Sequence, residues 1–583
     1  MKKLKLKRGI LSIVKINIRL LIITLILSII VSFTNIYLIS LEKNFTDAIL
    51  VKNKDLFIKI FTIILSIIVA KIFLEYSKAY LLGKFSENIL RDIRNEIGKK
   101  LINVKISYIE KNTTGDYISR LSNDLSLIQG FLSSSLNDLL YHPITFILGI
   151  ILAISINWKL TLFCFAIIPI SIILALIISK PVEKYTKRQQ EALSDVNSVA
   201  QDSISGITIV KAFNLEKELF NKYRKELVKS FKSGLTSARF ETLSEPIKIM
   251  IQIIPFVLMF FYGGNLVLKG ELTLGGIIAF IELMNIFLAP MNVLPNIINS
   301  YRKAKSSSER IEELLNQEDE KSGYVKKEKE SDYDIEFEDV YFSYEEEEII
   351  KGISFKVKRG EKVAIVGESG SGKSTIVKLI LGLYKPQKAN IKIFGVDIKD
   401  WDLSTLREKI SVANQDIYLF PESIKENIRY GNYNAKDEDI ISATKKSLAY
   451  EFIMDNIGFE REIGERGSSI SGGERQRIAI ARALLKKSAR LFILDEATSA
   501  LDTETEHTLQ NILKEELKDK TVLIIAHRFS SIKIAERIIV IDDGKIIEEG
   551  THEELISLNS KYKDLWEKSF KDSHIKDTLD VHS

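Results

Sequence analysis

The sequence predicts two architectures in one chain: an all-α, six-helix transmembrane domain followed by an α/β domain built around a nucleotide phosphate-binding loop. Three observations carry this. Composition divides the 583 residues, with long Ile, Leu, Phe and Val runs up to about residue 300 and ordinary globular polarity beyond it. Six of the apolar runs in the first half have spanning length. The second half holds Gly367-Glu368-Ser369-Gly370-Ser371-Gly372-Lys373-Ser374-Thr375, whose G-x-x-x-x-G-K-[ST] spacing lets successive backbone N–H groups curl toward phosphate oxygens. One core cannot serve a chain of this length. The expected divisions are 1–301 for the membrane domain, 302–332 for a linker, 333–570 for the nucleotide-binding domain and 571–583 for a tail.

The apolar runs are 20–40, 56–82, 139–156, 160–178, 247–268 and 274–298. A hydrocarbon core of roughly 30 Å needs about 20 helical residues, so each is a candidate span. Lys2, Lys3, Lys5, Lys7 and Arg8 precede the first run as in a signal peptide, but the run outlasts a signal and no A-x-A-like site follows. We read it as a retained helix with a cytoplasmic start. Connections after the first, third and fifth runs are short, whereas 83–138 and 179–246 are long and rich in Lys and Arg. Basic loops stay inside, so a multi-pass protein of the plasma membrane is expected, with both termini, both long loops and the nucleotide-binding domain in the cytoplasm. Helical periodicity with dense opposite charge in 85–106 and 182–199 predicts polar rods projecting beyond the bilayer.

The net charge of +5 and pI near 8.7 follow from that topology and call for no nucleic acid partner. Cys164 is the single cysteine, which excludes an intrachain disulfide and suits a lipid-facing or packed small side chain. Glu282 falls near the middle of the sixth run, where an ionisable group is costly. It is therefore a candidate for the substrate path, sharing a cavity-facing surface with Asn285 and Ala289. Lys71 and Glu75, spaced i, i+4, are expected to neutralise one another.

In the second half, 302–331 reads as a helix followed by a solvated linker, and the β-like run 335–344 opens the soluble domain. Tyr344, about 23 residues before the phosphate loop, is placed to stack on adenine. The loop follows the strand-like run 362–366 and opens a helix-like run, 375–383, with Lys373 as a point charge for the phosphates and Ser374 as a hydroxyl for Mg²⁺. Leu491-Phe492-Ile493-Leu494-Asp495-Glu496 is a buried strand ending in two carboxylates. Asp495 is delivered toward Mg²⁺, and Glu496 is placed to orient or deprotonate a water in line with the γ-phosphate. His527 follows the apolar strand 522–526, so it emerges at a sheet's carboxyl edge and is assigned a γ-phosphate contact. About a hundred residues after the phosphate loop, Ser471-Gly472-Gly473-Glu474 combines a glycine turn with a helix N-terminus, an anion site made of N–H groups and dipole.

These residues together resemble the ATP-binding cassette transporters, of the exporter type with membrane and nucleotide domains fused, over essentially the whole chain. The resemblance implies an α/β P-loop NTPase domain of the ABC type, with ATP and Mg²⁺ as cofactors. It implies that Ser471, Gly472 and Gly473 close over ATP held by a second subunit, with Ile470 replacing the more usual Leu. Gln415 matches the glutamine that senses Mg²⁺ and the attacking water, and Ser499-Ala500-Leu501-Asp502 matches a loop crossing the dimer interface. Gly464-Glu465-Arg466-Gly467 is similar to the segment that touches the intracellular loops. Gly115 to Asp124, including Asp116, resembles the first coupling region, and Gly206 to Phe213 the second. Lys388-Ala389-Asn390 departs from the pattern, and Asn390 is expected to take the left-handed turn that a glycine often fills.

One chain holds one phosphate loop and one signature, so two chains must pair. The expected function is export or flipping of a drug, lipid or peptide, driven by ATP hydrolysis, by half of a dimeric exporter in the bilayer. The partner is a second copy (a homodimer) or a related half-transporter. Import on an exporter-like fold, or service as the ATPase-active subunit of a heterodimer, are the alternatives.

Overall fold

The computed structural model describes residues 18–464, 467, 469–526 and 529–568. The chain forms two compact units, Met1–Asn103 with Asn112–Gln317, and Val104–Lys111 with Glu318–Ser583.

Helix-forming sequence gives the long helices α1 (Ile18–Leu50), α2 (Lys54–Asn103), α4 (Leu136–Ser205), α6 (Glu216–Leu268) and α7 (Leu274–Leu315), with the six-residue helices α3 (Ile106–Lys111) and α5 (Ile207–Ala212) among them. All but α3 belong to the first unit. The 50 residues of α2 span about 75 Å at 1.5 Å per residue, far beyond a bilayer core, so its charged second half extends outside as the sequence predicts. Among the described residues, five helical runs, rather than six, are long and apolar enough to cross a membrane. The expected third and fourth spans fall within α4, which leaves helical geometry at Asn157 (φ −161°, ψ 108°). Asn157 restarts the helix as a cap: its Oδ1 accepts from the Leu160 N–H at 3.0 Å.

The first unit is held by apolar packing of α7 against α4 and α6. Phe280, Leu283, Met284 and Phe287 are buried with Ala153, Leu160, Cys164 and Met259, so Cys164 is a packed side chain. The expected pairing of Lys71 with Glu75 is not made. Lys71 Nζ instead donates to Asn35 Oδ1 on α1 at 2.7 Å, and Glu75 pairs with the buried Lys78 at 2.9 Å. Lys78 also lies 4.8 Å from the centre of the Tyr141 ring, which favours the i, i+3 partner over the i, i+4 one.

The second unit contains two sheets. A four-stranded antiparallel sheet has the order β2 (Glu347–Lys358), β1 (Tyr333–Tyr344), β4 (Lys388–Ile393), β5 (Val396–Asp397). The six-stranded sheet has the order β10 (Lys545–Gly550), β9 (Arg537–Asp542), β3 (Lys362–Gly367), β8 (Thr521–Ile525), β7 (Leu491–Asp495), β6 (Ile410–Ala413). From β9 to β6 every pairing is parallel. The interiors of these strands are mostly apolar, as burial on both faces demands, with charged residues such as Lys362, Asp495, Arg537 and Asp542 at their ends.

Two expectations are corrected here. Asn390 lies inside β4 opposite Glu338, and its φ is not positive, because strand pairing fixes the backbone that a turn was expected to need. The presumed solvated linker is tied down: Gly323 N–H donates to Trp401 O (2.8 Å) and Val325 N–H to Asp400 O (2.9 Å), beside the fully buried Trp401.

Candidate functional site

Because β3, β8, β7 and β6 are parallel neighbours, their carboxyl ends share one edge, the edge where open α/β sheets bind ligands. The phosphate loop leaves β3 at Gly367 and enters helix α8 (Lys373–Ile380). Gly370 and Gly372 take φ of +83° and +103°, which a side chain would strain, and a Cβ on Gly367 would meet Ile541 O at 2.1 Å. Glu368, Ser369, Gly370 and Ser374 are exposed, whereas Ser371, Lys373 and Thr375 are buried. Lys373 Nζ donates to Gly367 O (2.9 Å) and Glu368 O (2.7 Å), so its ammonium lies within its own loop. Burial holds that ammonium below its ordinary range, opposed by the carboxylates of Glu496 and Asp495.

Parallel pairing of β6 with β7 sets Ala413 opposite Leu494, which brings Gln415 level with Glu496. Gln415 Nε2 donates to Glu496 Oε2 at 2.7 Å. Glu496 has φ of +50°, left-handed for a side-chain-bearing residue and costing on the order of 1–3 kcal/mol. Its backbone is held on both sides: its N–H donates to Ile525 O (3.0 Å), and its carbonyl accepts from Gln476 Nε2 (3.2 Å) and from the Ser499 N–H (3.2 Å). Such strain concentrates where a side chain must be aimed.

Asp495 is buried, and burial followed by the charge of Glu496 pushes its carboxyl up to about 6. Asp495 Oδ1 and Ser371 Oγ are buried without a hydrogen-bond partner among the described residues. Unpaired buried oxygens of this kind fit a hard cation. Among the described residues no cluster of three His, Cys, Asp or Glu side chains could hold a metal. A raised native pKa means that the folded, nucleotide-free protein binds the Asp495 proton more tightly than the unfolded chain does. The penalty is absent below the unfolded value near 4 and fully present above about 6. Asp495→Asn should therefore stabilise the nucleotide-free protein by about 2–3 kcal/mol at pH 8 and by little at pH 4. Denaturant unfolding across that pH range checks this, and a gain independent of pH would contradict it.

The signature turn opens helix α9 (Gly472–Leu485). Ser471 Oγ accepts from the Glu474 N–H (3.3 Å) and the Glu474 carboxylate accepts from the Ser471 N–H (2.7 Å), a reciprocal capping box. A Cβ on Gly473 would meet Ala500 O at 3.1 Å, so the turn packs against the loop after Glu496. Gln476 fastens the two: it accepts from the Ala500 N–H (2.8 Å) and donates to Ser499 Oγ (3.0 Å). Asp502 caps helix α10 (Thr503–Glu516) by accepting from the Thr505 N–H at 2.9 Å, and those bonds hold its carboxyl below the usual range.

Tyr344 ends β1, half-buried, with its ring edge-on to Phe342 (4.8 Å) and Tyr384 (5.1 Å). Asp116 is engaged within the first unit, accepting from Arg120 Nε (2.9 Å) and pairing with Arg310 (3.2 Å). The stretch of the first long loop that belongs to the nucleotide unit is Val104–Lys111, some residues before the predicted 116–124. Phe213 is 72% exposed at the end of α5, and Glu282 is exposed on α7. His527 and Glu465 lie outside the described residues.

Residues 21–291 match the model of the ABC transporter transmembrane region, and 350–499 match that of the ABC transporter. The ATP-dependent lipid A-core flippase of Desulfotalea psychrophila (strain LSv54 / DSM 12343) is 36% identical over 90% of this chain and 92% of its own. This chain is an ABC transporter. The flippase of the same name from Haemophilus influenzae (strain 86-028NP) is 34% identical over 91% of this chain and 92% of its own. The uncharacterized ABC transporter ATP-binding protein YknU of Bacillus subtilis (strain 168) is 32% identical, over 93% of both. As a half-transporter of this family the chain binds ATP, couples its hydrolysis to export across the membrane and works in a dimer.

Some residues of this ABC transporter's site carried no sequence signal. Lys561, 193 residues beyond Glu368 in sequence, pairs with it at 3.0 Å and with Asp542 at 3.3 Å. Gln476 stood within the signature run, but only the structure gives it three hydrogen bonds to the loop 496–500.

Proposed function

We propose that this half-transporter is a homodimeric flippase for an amphiphilic lipid, with six spans per copy and its termini and ATPase domain in the cytoplasm. The observation that carries the substrate class is the near full-length similarity to proteins named lipid A-core flippases. The break at Asn157 supports counting α4 as two spans. The intact Gln415–Glu496 pair supports two competent sites in a dimer of identical chains.

In this reading ATP lies on the loop Gly367–Thr375 with adenine against Tyr344, and Ser471, Gly472 and Gly473 of the second copy close over it. Lys373 exchanges its loop carbonyls for phosphate oxygens. Asp495, Ser374 and Gln415 would hold Mg²⁺, which when bound neutralises phosphate charge. Glu496 accepts the proton of the attacking water, released from Gln415 as that residue turns to the nucleotide, and His527 steadies the γ-phosphate. Asp502 acts in the crossing loop by holding the start of α10. In the membrane unit Glu282 faces outward while its neighbours Leu283, Met284 and Phe287 pack inward, which supports a polar surface toward a cavity shared by two copies. Exposed Ile207, Ile209 and Phe213 on and just after α5 support a force-bearing knob, with Asp116 and Glu465 in the same relay.

Reconstitution in liposomes with a headgroup-labelled lipid tests the reading. ATP should move the label across the bilayer with wild-type protein and not with the Glu496→Gln variant. Active hydrolysis without lipid movement, stimulated only by water-soluble peptides or drugs, would overturn the lipid assignment.

A further inference from the structure

The helix α3 carries a contact that no motif anticipated. Glu110 accepts from the Tyr384 hydroxyl at 2.5 Å and from Lys378 Nζ at 2.9 Å. Lys378 lies on α8, the helix that the phosphate loop opens, five residues after Lys373. Its ammonium also sits over the rings of Tyr344 (5.5 Å) and Tyr384 (5.6 Å). The two rings meet edge-on at 87°, and Phe342 closes the aromatic group against both. A second tie runs one residue further along each chain segment, where Lys111 pairs with Glu345 at 2.9 Å next to Tyr344. All these residues belong to the nucleotide unit, yet α3 is continuous in sequence with membrane-unit segments on both sides.

The geometry sets the orientation of Tyr344. A tyrosine at a strand end, only half-buried, has rotamer freedom that would be lost on stacking a base, and freedom lost on binding weakens affinity. Here a cation over one ring and an aromatic edge against it remove that freedom beforehand, and the cation is itself held by Glu110. We propose that Glu110 and Lys378 are positioning residues for nucleotide binding, fixing Tyr344 from α3 so that the adenine platform is preorganised only while α3 is seated. This rests on Tyr344 being the adenine platform.

The test is equilibrium binding of ATP and of CTP, in EDTA, to the full-length protein in detergent micelles. The variants are Tyr344→Ala, Glu110→Gln, Lys378→Met and the conservative Lys378→Arg. The platform reading expects Tyr344→Ala to bring the ATP and CTP affinities together. The proposal expects Glu110→Gln and Lys378→Met each to weaken ATP by about 3–10-fold with CTP little changed, an effect the size of one partly exposed ion pair plus one cation–π contact. Lys378→Arg, which keeps a cation over both rings and a partner for Glu110, should hold ATP affinity to within about 2-fold of wild type with the preference over CTP intact. If Tyr344→Ala removes the preference while Glu110→Gln and Lys378→Met keep it, the positioning role is wrong and the platform stands. Equal loss of ATP and CTP in the Glu110 and Lys378 variants would also overturn it, as would a Tyr344→Ala protein that keeps the full preference, which removes the platform as well.

Discussion

Glu496→Gln is expected to keep ATP binding near the wild-type level and to lose turnover by about 10²–10⁴-fold, the range typical for loss of a general base. The substitution preserves shape, and an amide still hydrogen-bonds to Gln415, so the 2.7 Å contact and the left-handed backbone at 496 have no reason to change. What is lost is the ability to accept a proton. ATP should therefore be trapped, visible as nucleotide retained through gel filtration. Turnover within about 3-fold of wild type would remove Glu496 from the chemistry and leave its strained conformation unexplained.

The second large effect is expected from Gly473→Asp. Even a methyl group here meets Ala500 O at 3.1 Å and Leu501 Cδ2 at 3.3 Å, so a side chain is forced toward the open end of α9. In the proposed dimer it sets a negative charge where the partner copy's phosphate would be received. Two unit charges about 4 Å apart repel by about 4 kcal/mol at an effective dielectric constant of 20. Turnover should fall at least about 10²-fold. Binding of ATP to the variant's own phosphate loop should stay within about 2-fold, because in the proposed dimer that loop and Gly473 serve different nucleotides. A matching loss of affinity and turnover would mean that signature and loop act on the same ATP within one chain.

Features that chemistry ties to fixed spacing were readable from the sequence. The phosphate loop, the strand ending in Asp495 and the signature helix each need particular residues in consecutive positions, and each is found between the expected elements. The unread features depend on partners distant in sequence. Glu110 and Tyr384 are 274 residues apart, and nothing in α3 marks it as part of the nucleotide unit. The linker looked solvated because its charged composition hides backbone bonds to Asp400 and Trp401. Local rules also misled where two partners competed: Glu75 had Lys71 and Lys78 within helical reach, and the stacking of Lys78 on Tyr141 decided between them. Asn390 was read from its turn propensity, which pairing with β1 overrides.

In the proposed dimer each ATP is enclosed by the phosphate loop of one copy and the signature of the other. Ser369 and Ser471 are both exposed in the single chain, and Cys164 is the only thiol to remove. Full-length protein carrying Cys164→Ala, Ser369→Cys and Ser471→Cys, oxidised with a non-hydrolysable ATP analogue, should run as a covalent dimer on a non-reducing gel, with neither single-cysteine variant doing so. A chain that loses both thiols yet stays monomeric under those conditions would place loop and signature in the same subunit and rule out a site shared between copies.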